Sequence, residues 1–105
     1  MENISVDKLH DLVPELGPDE LVLDVRTPAE FSEGHIKGAR NVDHEEVAAV
    51  AEEFKQYKTV YVHCKMGGRA QIASETLQDS GLTNIVCVKQ GGMQRWMDMG
   101  WEMES

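Results

Sequence analysis

Short apolar runs rich in β-branched residues alternate along this chain with stretches of helical periodicity, and that alternation limits the fold more than any other feature. Leu21 to Val25, Thr59 to Cys64 and Asn84 to Val88 read as buried strands, with Ala39 to Val42 a weaker fourth. Helical patterns occupy Val6 to Val13, Glu45 to Phe54, Arg69 to Ser80 and Met93 to Met99, and a short turn spans Pro28 to Ser32. In Glu45 to Phe54 the residues Val47, Val50, Ala51 and Phe54 share one face; in Arg69 to Ser80 the face is expected to be Ile72, Ala73, Thr76 and Leu77, ended by Gly81. Strand and helix in alternation imply an α/β domain whose parallel sheet is covered by helices on both sides. Such sheets place their chemistry at the carboxyl ends of the strands.

At 105 residues the chain is long enough for one domain, residues 1–105, that buries about two-thirds of its unfolded surface. No linker, repeat or low-complexity run interrupts it. Its net charge of −9 repels phosphate backbones and anionic lipid, so neither nucleic acid nor a membrane is an expected partner. No segment approaches the ~20 apolar residues of a membrane span, and Met1-Glu2-Asn3 does not open a charged-then-apolar leader, so a soluble cytoplasmic protein, monomeric by default, is expected. The 2 cysteines, Cys64 and Cys87, form no ligand-like spacing with histidine, and no metal is expected. Cys87, inside Ile85-Val86-Cys87-Val88, reads as strand core.

Cys64 is different, because it stands where a strand passes into a helix. The run Val60-Tyr61-Val62-His63 leads into Cys64-Lys65-Met66-Gly67-Gly68-Arg69-Ala70. The loop lacks proline, so each backbone N–H from Lys65 to Ala70 is free to donate, and two glycines let the chain curl those donors inward as an anion nest. The positive end of the following helix and the cations Lys65 and Arg69 act in the same sense. Such a setting favours the thiolate, the nucleophilic form of cysteine, without a partner base. His63, one residue earlier, should point to the opposite face of the strand. Met66 reads either as an apolar lip at the loop or as a gap filler.

With these residues in view, the sequence resembles the rhodanese family over nearly its whole length. One signature is Leu23-Asp24-Val25-Arg26-Thr27-Pro28-Ala29-Glu30-Phe31, continuing through Gly34-His35-Ile36-Lys37-Gly38-Ala39-Arg40-Asn41-Val42. A second is the Cys64 loop, similar to the family's Cys-x-x-Gly-x-Arg. The third is Gly91-Gly92-Met93-Gln94-Arg95-Trp96 followed by Gly100-Trp101. Lys37 departs from the pattern, where proline is common. The resemblance implies a three-layer α/β/α fold with a five-stranded parallel sheet, in which a short strand around Ile4 and Ser5 supplies the fifth member.

It also implies a sulfurtransferase: Cys64 accepts a sulfane sulfur from a small anionic donor, thiosulfate or a persulfide, and passes it to a thiol or protein acceptor, with no cofactor. Lys65, Met66, Gly67, Gly68, Arg69 and Ala70 form the anion-binding loop. Asp24 and Arg26 support it, and since charges at a buried strand end need partners, an ion pair between them is expected. His35 reads as a hydrogen-bonded structural residue, Glu45, Glu46, Glu52 and Glu53 as a solvated helix face, and the methionines from Met93 to Met103 as packing for the last helix.

Two alternatives stay open. Phosphatases and arsenate reductases related to this fold carry five residues between cysteine and arginine, where this chain has Lys65 to Gly68, and they want an acid for the leaving group that the loop lacks. The other is a non-catalytic protein-interaction module.

Overall fold

In the computed structural model, which describes residues 1–105, five parallel strands form one sheet in the order β1-β5-β4-β2-β3. The strands are β1 (Glu2–Ser5), β2 (Glu20–Asp24), β3 (Arg40–Asn41), β4 (Thr59–His63) and β5 (Ile85–Gln90); the α-helices are α1 (Val6–Leu12), α2 (Pro28–Glu33), α3 (Gly68–Asp79) and α4 (Met93–Asp98). Parallel neighbours need a crossover between them, and the helical segments provide it. β1 pairs with β5 through Asn3 and Cys87, which fixes the short N-terminal strand the resemblance called for.

Side chains alternate across the sheet and thereby divide the core in two. Leu21, Leu23, Val60, Val62, Ile85 and Cys87 face α3 and a 3-10 helix at Val47–Gln56. Val22, Tyr61, Val86 and Val88 face α1 and α4. Each fully buried Val, Leu or Phe side chain contributes about 1.5–3 kcal/mol, so the two layers carry the fold between them. On the second face Trp96 and Trp101 meet edge to face at 5.3 Å, and His10 stacks on Trp101 at 3.9 Å.

The structure departs from the sequence reading in several places. The third helical stretch is a 3-10 helix at Val47–Gln56. No side chain caps its start, and the Asn84 amide donates to the carbonyls of Phe54 and Tyr57 at its end, so tertiary contacts hold it where local capping does not. The turn at Pro28 is a full helix, α2, because Thr27 and Glu30 form a reciprocal capping box. The buried face of α3 is Ala70, Ala73, Ser74 and Leu77, whereas Ile72 is 54% exposed. Ala70 sets that phase, since its N–H is committed to the Cys64 loop. Of the terminal methionines only Met93 is packed inside, and Met97, Met99 and Met103 lie at the surface.

The connections from β2 and from β4 leave in opposite directions across the sheet, the first to β3 and the second to β5. The crevice beyond the carboxyl ends of β2 and β4 is therefore a topological switch point, the place where open α/β sheets receive ligands. Asp24 and His63 end those two strands side by side in register, and Cys64 follows directly. No helix is long and apolar enough to cross a membrane.

Candidate active site

Cys64 is the first residue past β4, and its sulfur sits at the floor of the loop that turns into α3. Two backbone N–H groups reach it: Gly67 N donates to Sγ at 3.1 Å and Ala70 N at 3.3 Å. The collar is thus narrower than the unbroken nest suggested by the absence of proline; the donors that converge on sulfur come from one residue before the helix and from its first turn. Both stabilise negative charge on the sulfur, as does the α3 amino end on which they lie. Cys64 itself is 1% exposed.

The two loop glycines have different reasons to be glycine. Gly67 has φ 111°, and a Cβ there would lie 2.1 Å from the Lys89 carbonyl oxygen, so this position is closed to any side chain. Gly68 is ordinary helical backbone with open space around it. The pair Gly91-Gly92 belongs to the same construction. Met93 N and Gln94 N, at the start of α4, donate to the Cys64 and Lys65 carbonyls at 2.9 and 3.1 Å. Those carbonyls are thereby engaged by α4, and the backbone approach is so close that a Cβ on Gly92 would lie 2.3 Å from the Cys64 oxygen. The sequence reading singled out Gly91-Gly92 as a signature but missed this function.

Arg69 lies on the first turn of α3 and makes a bidentate ion pair with Glu30 of α2, Nη1 to Oε1 at 2.6 Å and Nη2 to Oε2 at 3.0 Å. Glu30 also accepts from the Thr27 N–H and hydroxyl. The Arg69 hydrogen bonds hold its carboxyl at about 2, well below the usual carboxylate range, and Glu30 in return raises the Arg69 value. The guanidinium expected to hold a donor's anionic end is thus bound to a carboxylate of the protein. Lys65 and Met66 are exposed on the rim.

Below the loop, Asp24 and Arg26 form the expected ion pair, fully buried: Arg26 Nη2 donates to Asp24 Oδ2 at 2.8 Å and to the Gly34 carbonyl at 2.8 Å. Arg26 N also donates to Asp24 Oδ1, closing a tight local turn at the end of β2. Asn41 ties β3 to the same turn through the Asp24 and Arg26 carbonyls. His63 points to the opposite face from Cys64 and is fully buried, with both ring nitrogens lacking a hydrogen-bond partner and Nε2 4.0 Å from Asp24 Oδ2. Burial lowers its pKa below 6.5, outweighing the attraction of Asp24. It is therefore neutral near pH 7 and takes no part at the sulfur.

His35 donates from Nδ1 to the Phe31 carbonyl at 2.8 Å and stacks on the Phe31 ring. Its backbone exchanges hydrogen bonds with Glu104, which fastens the chain's last residues over the segment leading into β3. Cys87 lies in the core layer below Cys64, and burial raises its pKa. Asp43, His44 and Glu45 bring ligand-type atoms within 4.8 Å of one another, but Asp43 is already engaged by the Glu45 N–H and by His44 at 3.1 Å.

Comparison with known proteins places this geometry in context. Residues 5–99 match the rhodanese-like domain family. Uncharacterized protein YqhL of Bacillus subtilis is 39% identical over 75 residues, covering 71% of this chain and 59% of that protein. Thiosulfate sulfurtransferase 16, chloroplastic, of Arabidopsis thaliana is 34% identical over 93% of this chain and 88% of its own length. The crystal structure of a rhodanese-like domain protein from Staphylococcus aureus superposes with a TM-score of 0.82 and 30% identity, covering 100% of both chains. With its five-stranded parallel sheet, its cysteine loop at the switch point and this match over most of its length, the chain belongs to the rhodanese-like domain family.

Proposed function

We propose that this protein is a sulfurtransferase that carries a sulfane sulfur as a persulfide on Cys64. The observation that carries the reading is the convergence of the Gly67 and Ala70 N–H groups on Sγ. Preorganised donors of this kind stabilise charge on sulfur at no cost of reorganisation during reaction.

In the first half-reaction the Cys64 thiolate attacks the outer sulfur of thiosulfate or of a persulfide. A new S–S bond forms on Cys64, the donor's S–S bond breaks, and its electron pair leaves on sulfite or on a thiolate. The added sulfur stands about 2 Å from Sγ, within the field of the same amides, and is held there as an anion. In the second half-reaction a thiol or a protein acceptor attacks that outer sulfur and returns Cys64 to the thiolate. Lys65 and Met66 border the route in. Because Cys64 is so deeply set, the reacting sulfur must come from a slender group or from one that displaces the rim side chains.

Sulfur transfer is favoured over phosphoryl transfer by the same geometry. A phosphoryl group needs donors around three equatorial oxygens and an arginine free to take two of them, whereas two amides serve Sγ here and Arg69 is engaged by Glu30.

Incubation with thiosulfate followed by intact-mass measurement tests the proposal. A gain of one sulfur atom in the wild type, absent in Cys64→Ser, is the expected result. Hydrolysis of an aryl phosphate without sulfur uptake would instead establish the phosphatase reading, and silence in both assays would leave a binding module.

A further inference from the structure

Beside the Cys64 loop lies a depression of about 140 Å³ lined by Arg26, Glu30, Glu33, Gly34, Lys65 and Met97. At about 30 Å³ per water, it has room for a molecule the size of a small amino acid. Its charges are of two kinds. Arg26 is bound to Asp24, and Glu30 is bound to Arg69. Glu33, at the end of α2, and Lys65, next to the nucleophile, are exposed and have neither an ion-pair nor a hydrogen-bond partner among the protein's side chains. The wall thus offers one free carboxylate and one free ammonium, and Met97 is its apolar member.

These observations bear on the donor. Thiosulfate, a dianion, gains from Lys65 but brings no group that Glu33 can accept from, and it approaches a protein of net charge −9. A donor with an α-ammonium and an α-carboxylate meets both free charges. We propose that the preferred sulfur donor is an α-amino-acid persulfide, its ammonium bound by Glu33 and its carboxylate by Lys65. This rests on the sulfurtransferase reading above and adds to it a substrate class and a specificity residue, Glu33.

The step balances without a further reactant. Cys64 sulfur bonds to the donor's terminal sulfur, the donor's S–S bond breaks, and the electron pair leaves on the amino acid's thiolate, which takes up the proton given up by the transferred sulfhydryl. Sulfur changes hands with no net oxidation or reduction.

The test compares loading of Cys64, followed by intact mass under single-turnover conditions, from cysteine persulfide and from the persulfide of 3-mercaptopropionate, which lacks only the amino group. Wild type is expected to load faster from cysteine persulfide at limiting donor, by the product of two factors: the better leaving thiol of cysteine and about fivefold from the Glu33 charge pair. In Glu33→Gln that ratio is expected to fall about fivefold, the size of one solvent-accessible charge pair, to the part set by the leaving thiols alone. Because the readout is a ratio within one variant, a general loss of activity does not imitate it, and a thermal melt confirms that the variant is folded. Equal loading from both donors in the wild type, or a ratio unchanged in Glu33→Gln, would overturn the donor assignment while leaving the sulfurtransferase intact. Failure to load from either persulfide and from thiosulfate would instead remove the underlying reading, and this one with it.

Discussion

Glu30 grips Arg69 with both carboxylate oxygens while one of them also accepts from the Thr27 N–H at the start of its own helix. One side chain thereby fixes the start of α2, the first turn of α3 and the electrostatic neutrality of the loop's arginine.

Glu30→Gln should accordingly alter stability and its pH dependence together. The folded carboxyl titrates at about 2 against an ordinary 4.5, so the unfolded chain takes up the proton first as pH falls. The contribution is complete above 4.5 and disappears progressively toward 2. Since both partners are about a quarter exposed, solvent screening limits the loss at neutral pH to about 1 kcal/mol. Urea denaturation between pH 3 and 7 should show wild type and variant converging at the acid end; parallel curves would refute the coupling.

His63 acts in a higher pH window. Its folded pKa is lowered from 6.5 by burial, so below 6.5 the unfolded state binds the proton first and stability falls with falling pH. His63→Leu removes two buried nitrogens that have no partner and should leave stability at pH 8 unchanged or improved. It should also flatten the decline between pH 6.5 and 5, read as the denaturation midpoint across that range.

The glycines around the loop separate by mechanism. Gly92→Ala sets a methyl 2.3 Å from the Cys64 carbonyl oxygen, and overpacking of this kind costs about 1–3 kcal/mol. It should also displace the Met93 and Gln94 donors and slow sulfur loading. Gly68→Ala meets nothing within 4 Å on a helical backbone, and should stabilise by about 0.5–1 kcal/mol. Thermal melts of the two variants should move in opposite directions.

Cys87 should be inert in the native protein. It is fully buried and its pKa is raised by that burial, so alkylation at pH 8 with iodoacetamide should modify it only after denaturant is added. Peptide mapping checks this, and native labelling of Cys87 would mean that β5 opens far more readily than a central strand should.

Much of this protein was written locally. The alternation of apolar runs and helical faces specified a parallel sheet clothed by helices, because side-chain period is a property of each segment alone. The glycines and the strand-to-helix passage marked Cys64 for the same reason: backbone freedom and free N–H groups are local chemistry. Where the reading slipped, long-range contacts had overruled local preference. Ile72 lost its place in the core because Ala70 is pinned to the Cys64 sulfur, and the helix expected from Glu45 became a 3-10 helix tied at its end by Asn84 from another part of the chain. The tertiary structure alone joined Arg69 to Glu30, and it alone placed the start of α4 against the cysteine loop to engage two of its carbonyls. Neither relation has a signature in spacing, since an ion pair or an amide contact between distant segments depends on distances that only the packed sheet and its helices establish.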